Sequence, residues 1–166
     1  MAGLPGTGKS TLARTLAARL DGVVLDKDLV RAALFGEKWT EYSREQDDLC
    51  VDLLLQAGAY LAGKQDPPGF IFIDGRTFSM RYQIERVDAF ATNSGCRTKL
   101  IHLTCSDETA RQRLAQDHVA KNRDFALYLK VKQSFETIDY PHITLNSDDG
   151  LRETLLAQGL HYLRGE

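Results

Sequence analysis

Apolar and polar positions along the chain alternate between two periods. Leu12, Leu16 and Leu20 recur about every fourth residue, with Ala13 and Ala17 beside them, which is a helical stripe. The runs 22–25, 70–73, 99–103 and 142–145 read as short buried strands, Phe70-Ile71-Phe72-Ile73 most clearly. Residues 29–35 predict one or two helical turns closed by Gly36. Ser43 predicts the cap of a long helix carrying Leu49, Leu53, Leu54, Ala57 and Leu61, ended by Pro67-Pro68-Gly69. Residues 81–93 form another helical pattern, with Ile84, Val87 and Phe90 on one face. A further helix starts at Ser106 or Asp107, and a last one, capped by Asp148 or Asp149, carries Leu151, Leu155 and Leu163. Strands alternating with helices, without repeats, predict an α/β fold: a parallel sheet covered by helices.

Composition adds limits. The 166 residues suit one domain, and 43% hydrophobic with 27% charged residues is ordinary for a globular protein. No segment has the apolar length of a membrane span, and the N-terminus lacks a signal-peptide pattern. Three widely spaced cysteines, Cys50, Cys96 and Cys105, predict reduced thiols and a cytoplasmic protein. A net charge of −2 favours a small-molecule partner over long nucleic acid. None of the four histidines has metal-ligand spacing, and His102 reads as a core or edge residue.

The chemistry is concentrated near the start. Gly3-Leu4-Pro5-Gly6-Thr7-Gly8-Lys9-Ser10 fills every fixed position of the phosphate-gripping P-loop. Its glycines allow a tight turn whose N–H groups converge on one anion, and the helix starting here adds its dipole. Lys9 supplies a point charge for the outer phosphates, Ser10 a hydroxyl for Mg²⁺, and Thr11 continues the loop into the helix. The expected ligand is ATP with Mg²⁺. Only Met1 and Ala2 precede the loop, too few for the buried strand that normally feeds it, so a native chain starting upstream of Met1 is expected.

Acceptor chemistry belongs at the ends of the strands on the same edge. One end reads Asp26-Lys27-Asp28-Leu29-Val30-Arg31; a helical turn there puts Asp28 and Arg31 on one face. Another reads Asp74-Gly75-Arg76-Thr77. Asp28 has two readings, acceptor carboxylate or helix cap, and Asp26 is a strand-end carboxylate in a secondary role. Arg76 and Arg81 either bind an acceptor anion or line a solvated face. Trp39 and Tyr42 either line a pocket or anchor their connection.

The P-loop, the Asp-x-x-Arg turn and the strand ending in Asp-Gly together resemble the P-loop kinases of the zeta-toxin and polynucleotide-kinase branch, including the AAA_33-type ATP-binding proteins. The resemblance runs over nearly the whole chain. It implies a single domain with sheet order 2-3-1-4-5, the first strand largely missing here, and a lid at about 115–130. It also implies transfer of the γ-phosphoryl group of ATP to a hydroxyl of a small molecule or nucleotide. Asp28 then matches the carboxylate that aligns or deprotonates the acceptor, and Arg31 the substrate-side arginine. Asp74 matches the aspartate after the third strand, as a substrate contact or a water-mediated Mg²⁺ ligand. Arg113 matches the first lid arginine, beside Arg111, which points elsewhere on the helix. A second arginine is common four residues later; this chain has Asp117, leaving Lys121 or Arg123 as substitutes. Asn146 and Ser147 fall where the fold borders the adenine. The other readings are a polynucleotide 5′-hydroxyl kinase and a non-catalytic ATP-binding module. A GTPase is disfavoured because Leu145-Asn146-Ser147-Asp148 is no guanine reader, and an AAA motor needs a second helical lid domain that this stretch lacks.

Overall fold

A computed structural model describes residues 1–117, 124–150 and 152–165. Helix α1 (Lys9–Arg19) follows the P-loop and leads to β1 (Gly22–Asp26) and α2 (Lys27–Phe35). Then come α3 (Arg44–Ala62), β2 (Phe70–Asp74), α4 (Arg81–Asn93) and β3 (Leu100–Thr104). The chain closes with α5 (Asp107–Gln116), α6 (Phe125–Gln133), β4 (His142–Asn146) and α7 (Glu153–Arg164).

Strands β1 and β2 pair in parallel from Gly22↔Phe70 to Asp26↔Asp74, and β3 and β4 from Leu100↔His142 to Thr104↔Asn146. Residues 1–3 run between the two pairs. Ala2 N–H donates to Ile101 O at 2.8 Å, its carbonyl accepts from Leu103 N–H at 2.9 Å, and the Met1 amine lies 3.4 Å from Ile73 O. Counting these opening residues as the first strand, the order is the expected 2-3-1-4-5. Behind Met1 the two pairs part around an apolar cavity of about 710 Å³, lined by Phe70–Ile73, Leu100, Ile101, α3 and α4.

The stripe predicted for α1 buries as drawn: Leu12 and Leu16 are fully enclosed with Phe72, Ile101, Leu103 and Leu145, and with Leu155 and Leu163 of α7. Each enclosed leucine stabilises the sheet by about 2 kcal/mol. The opposite face holds Ala2, Phe78 and Ile84, with Val87 packed against them, and α3 packs on α4, β1 and β2. The caps at Ser43 and Ser106 form, each side chain accepting an N–H of the first turn.

Two expectations need correction. In α3 the buried face runs through Gln46, Cys50, Val51, Leu54, Leu55 and Gly58, leaving Leu49 and Ala57 exposed. Gln46 is accommodated on that inner side because its amide bonds the Trp39 carbonyl and the Glu41 N–H. Helix α7 starts at Glu153, so neither Asp148 nor Asp149 caps it; Asp148 Oδ1 instead accepts the Ser106 N–H at 2.7 Å. Those bonds to the Ser106 backbone and to the Thr109 and Ser106 side chains hold Asp148 down at about 2. The sequence reading placed no helix at α6, which is capped by Asp124 and whose mixed pattern gave no stripe to read. Lys121, Arg123 and Leu151 lie outside the described residues. Among the described residues no helix is long and apolar enough to cross a membrane.

Candidate active site

Polar groups converge on a crevice of about 600 Å³ at the carboxyl ends of the strands. One wall is the P-loop. Gly3 has φ +140°, and a Cβ there would sit 2.2 Å from Leu103 O, so only glycine lets the loop leave the sheet so close to β3. Buried Thr7 ties the turn by donating to Leu4 O at 2.8 Å. Gly8, at φ +89°, is the N-cap of α1. Pro5, Gly6, Gly8, Lys9, Ser10 and Thr11 line the crevice, and Lys9 Nζ reaches back to Leu4 O at 2.7 Å. Gly3, Leu4 and Thr7 shape the loop from behind.

Arg113 faces the crevice from α5, as expected of one of the two arginines. Its Nη1 donates to Gly6 O at 3.4 Å and Ser147 Oγ at 3.0 Å, and Nη2 to Ser147 O at 2.6 Å. Ser147, fully buried, donates in turn to Thr7 O at 2.8 Å. Arg113 therefore ties the P-loop backbone to the end of β4. Arg111 points away, its guanidinium 3.9 Å above the Phe125 ring. Asn146 is exposed outside the crevice and accepts the Asp148 N–H at 2.8 Å. Asp117 does line the crevice.

The facing wall is built around α2. Asp26 caps this helix by accepting the Asp28 N–H at 2.9 Å, so the cap reading of Asp28 is overturned. Asp28 Oδ1 instead lies 3.1 Å from Arg31 Nη1, the predicted turn of helix, and 3.1 Å from Lys27 Nζ. Asp47 of α3 completes a quartet, accepting from Lys27 Nζ at 2.7 Å and pairing with Arg31 Nη2. Burial pushes the Lys27 ammonium down to about 8, with Asp28 opposing and Arg31 adding to the shift. Arg76 is buried at the same wall; its Nη1 lies 2.7 Å from Asp48 Oδ1 and its Nη2 donates to Tyr82 Oη at 3.2 Å.

Asp74 stands apart. Its side chain is fully buried behind the wall, and neither carboxylate oxygen has a hydrogen-bond partner. Arg81 lies outside the crevice, exposed and paired with Asp139. Trp39 is exposed too, whereas Tyr42 lines the crevice with its ring 5.1 Å over the Arg31 guanidinium.

The sequence reading missed the partners of these groups. Asp47 and Asp48 look like ordinary acids complementing the first turns of a helix, and Lys27 like a solvated residue after a strand. Gln46, a polar residue buried on the inner face of α3, holds the neighbouring loop in place. Its Nε2 donates to Trp39 O at 2.9 Å and its Oε1 accepts the Glu41 N–H at 3.0 Å, fixing the loop that presents Tyr42 at φ +53°.

The arrangement offers an anion nest with a lysine on one side and a charge-clamped carboxylate on the other. Known proteins share the fold. A candidate kinase from Chloroflexus aurantiacus J-10-fl superposes with a TM-score of 0.71 at 18% identity, covering 97% of this chain and 92% of that one. Kti12 of Chaetomium thermophilum, solved with ADP-AlF3, gives 0.67 at 18% identity over 99% and 94%. A gluconokinase from Sinorhizobium meliloti 1021 gives 0.63 at 12% identity over 98% and 86%. Among curated proteins none matches the sequence. The AAA_33 family, described as an AAA domain, matches residues 1–137. The chain belongs to the AAA_33 family, and its fold is that of the P-loop kinases.

Proposed function

We propose that this protein is an ATP-dependent kinase that transfers the γ-phosphoryl group to a hydroxyl of a small molecule or nucleotide. The observation that carries the reading is Asp28: released from capping, it lines the same crevice as Lys9 and Ser10 and is clamped by Lys27 and Arg31. Phosphoryl transfer needs little covalent help beyond charge stabilisation and one group that aligns the nucleophile.

In this reading the P-loop N–H groups and Lys9 hold the donor phosphates, while Arg113 keeps the loop in its anion-binding shape. The acceptor O–H points at Asp28, its oxygen bonds to the γ-phosphorus, and the bond from that phosphorus to the β,γ-bridging oxygen breaks. ADP leaves, and the hydroxyl proton passes to Asp28 and on to solvent. The residues suit Mg²⁺ as well. An unpaired buried carboxylate such as Asp74 is costly unless a cation or water answers it, so Ser10 and Asp74 are the groups that would hold the ion. Bound Mg²⁺ would supply charge neutralisation on the outer phosphates.

The test is an ATP-consumption screen against sugars, nucleosides, nucleotides and oligonucleotides, with mass identification of products. A product heavier by one phosphoryl group is expected from a small acceptor. Tight Mg·ATP binding with no product from any acceptor would leave a non-catalytic module, and an oligonucleotide product would select the polynucleotide reading.

A further inference from the structure

The acceptor wall carries its charges at two depths. The side chains of Asp28 and Asp47 are 29% and 25% exposed towards the crevice, whereas those of Lys27 and Arg31 beneath them are 6% and 5% exposed. Lys27 is the link between the two carboxylates. Its Nζ lies 3.1 Å from Asp28 Oδ1 and donates to Asp47 Oδ1 at 2.7 Å, so one ammonium joins the start of α2 to the first turn of α3. The lysine stem is packed as well. Gly75, at φ +86°, brings the turn after β2 so close that a Cβ there would lie 3.0 Å from Lys27 Cβ.

A buried ion cluster is a poor device for merely joining two helices, because apolar residues of similar volume often do so at least as well. What the cluster adds is direction. Lys27 Nζ and Arg31 Nη1 both approach the same oxygen, Asp28 Oδ1, at 3.1 Å, which fixes where that carboxylate points. Resting on the kinase reading, we propose that Lys27 is a positioning residue for phosphoryl transfer: anchored by Asp47, its ammonium holds the Asp28 carboxylate at the angle that meets the acceptor hydroxyl, and only while protonated. At its depth Lys27 acts through Asp28 and not on the acceptor itself. The charged groups around it are Asp28 and Arg31 on its own helix, Asp26 at the helix cap, Asp47 on α3 and Arg76 after β2. Burial outweighs the opposing pull of Asp28, and Arg31 and Arg76 add to it, so the proton leaves near pH 8. Below that pH Asp28 is held by two cations, and above it by Arg31 alone.

The experiment follows transfer from Mg·ATP to water, as ADP formed, and to the acceptor that the product screen returns, between about pH 6.5 and 9.5. The parent rate should fall about tenfold across a midpoint near 8, in kcat and with acceptor KM within about threefold. Lys27→Arg, charged at every pH tested, should keep the pH 7 rate within about fivefold and lose the fall. Lys27→Met should be slower by a factor of about 30 or more at pH 7 and show no midpoint at 8. Mg·ATP affinity should hold within about twofold in both variants. The parent profile needs no substitution, so it decides the matter even where a variant fails to fold. A parent rate flat across pH 8, a fall that persists in Lys27→Arg, or parent-like transfer by Lys27→Met overturns this inference and leaves the kinase reading in place. Absence of transfer to water and to every acceptor, with Mg·ATP bound, overturns both.

Discussion

The donor wall of the crevice is made of consecutive residues, the acceptor wall of residues that meet only after folding. Gly3 to Thr11 build their anion nest from backbone N–H groups, two side chains and the start of one helix. The acceptor wall needs Lys27, Asp28 and Arg31 of α2 to meet Asp47 across 20 residues, and Asp48 to meet Tyr82 across 34. A backbone nest is fixed by local glycine geometry and tolerates distant change. A buried ion cluster depends on every partner, since removing one leaves an uncompensated charge. The donor wall therefore specifies a ligand shared by many proteins, and the acceptor wall is where individuality resides.

The largest effect expected from breaking this contrast is at Gly3. Gly3→Ala places a Cβ 2.2 Å from Leu103 O and should cost more than about 4 kcal/mol in urea unfolding, or prevent folding. Gly36→Ala, at φ +56° and ψ −169° with open space around it, should cost about 1–3 kcal/mol, from backbone strain alone. Equal costs would mean that the close approach to β3 is not what demands glycine. Next comes Arg113→Ala, which cuts the ties to Gly6 and Ser147. It should weaken Mg·ATP about 10- to 100-fold by calorimetry while leaving acceptor KM within about twofold.

The pH profile separates the walls more gently. Folded Lys27 loses its proton near 8, the unfolded chain only near the ordinary 10.5. Between those values the folded state binds fewer protons, so this group makes stability rise with pH. Lys27→Met should abolish that rise in stability between pH 8 and 10.5, read by urea unfolding. The smallest effect is at Arg81, whose exposed pair with Asp139 predicts that Arg81→Ala changes stability by less than about 0.5 kcal/mol and leaves turnover alone.

The same contrast explains what could be read without coordinates. The P-loop, the α1 stripe, the Phe70–Ile73 strand and the caps at Ser43 and Ser106 are local signals, each complete within a few residues. The Asp28/Arg31 pair was legible because a single helical turn spans it. Asp47, Asp48 and the role of Lys27 were not, because nothing in a window of sequence marks which surface acids will face a buried lysine. Arg81 illustrates the converse: it follows a strand end as Arg76 does, yet the start of α4 turns it to solvent. The start of α7 was misplaced because Asp148 offers its carboxylate to Ser106 rather than to its own helix.

The division of labour between the walls is tested most directly by Asp28→Asn, measured by calorimetric Mg·ATP affinity alongside single-turnover phosphoryl transfer to an identified acceptor. We expect nucleotide affinity to hold within about twofold while transfer slows by a factor of about 100 or more. Transfer at the parent rate, or nucleotide affinity falling in step with it, would contradict the account.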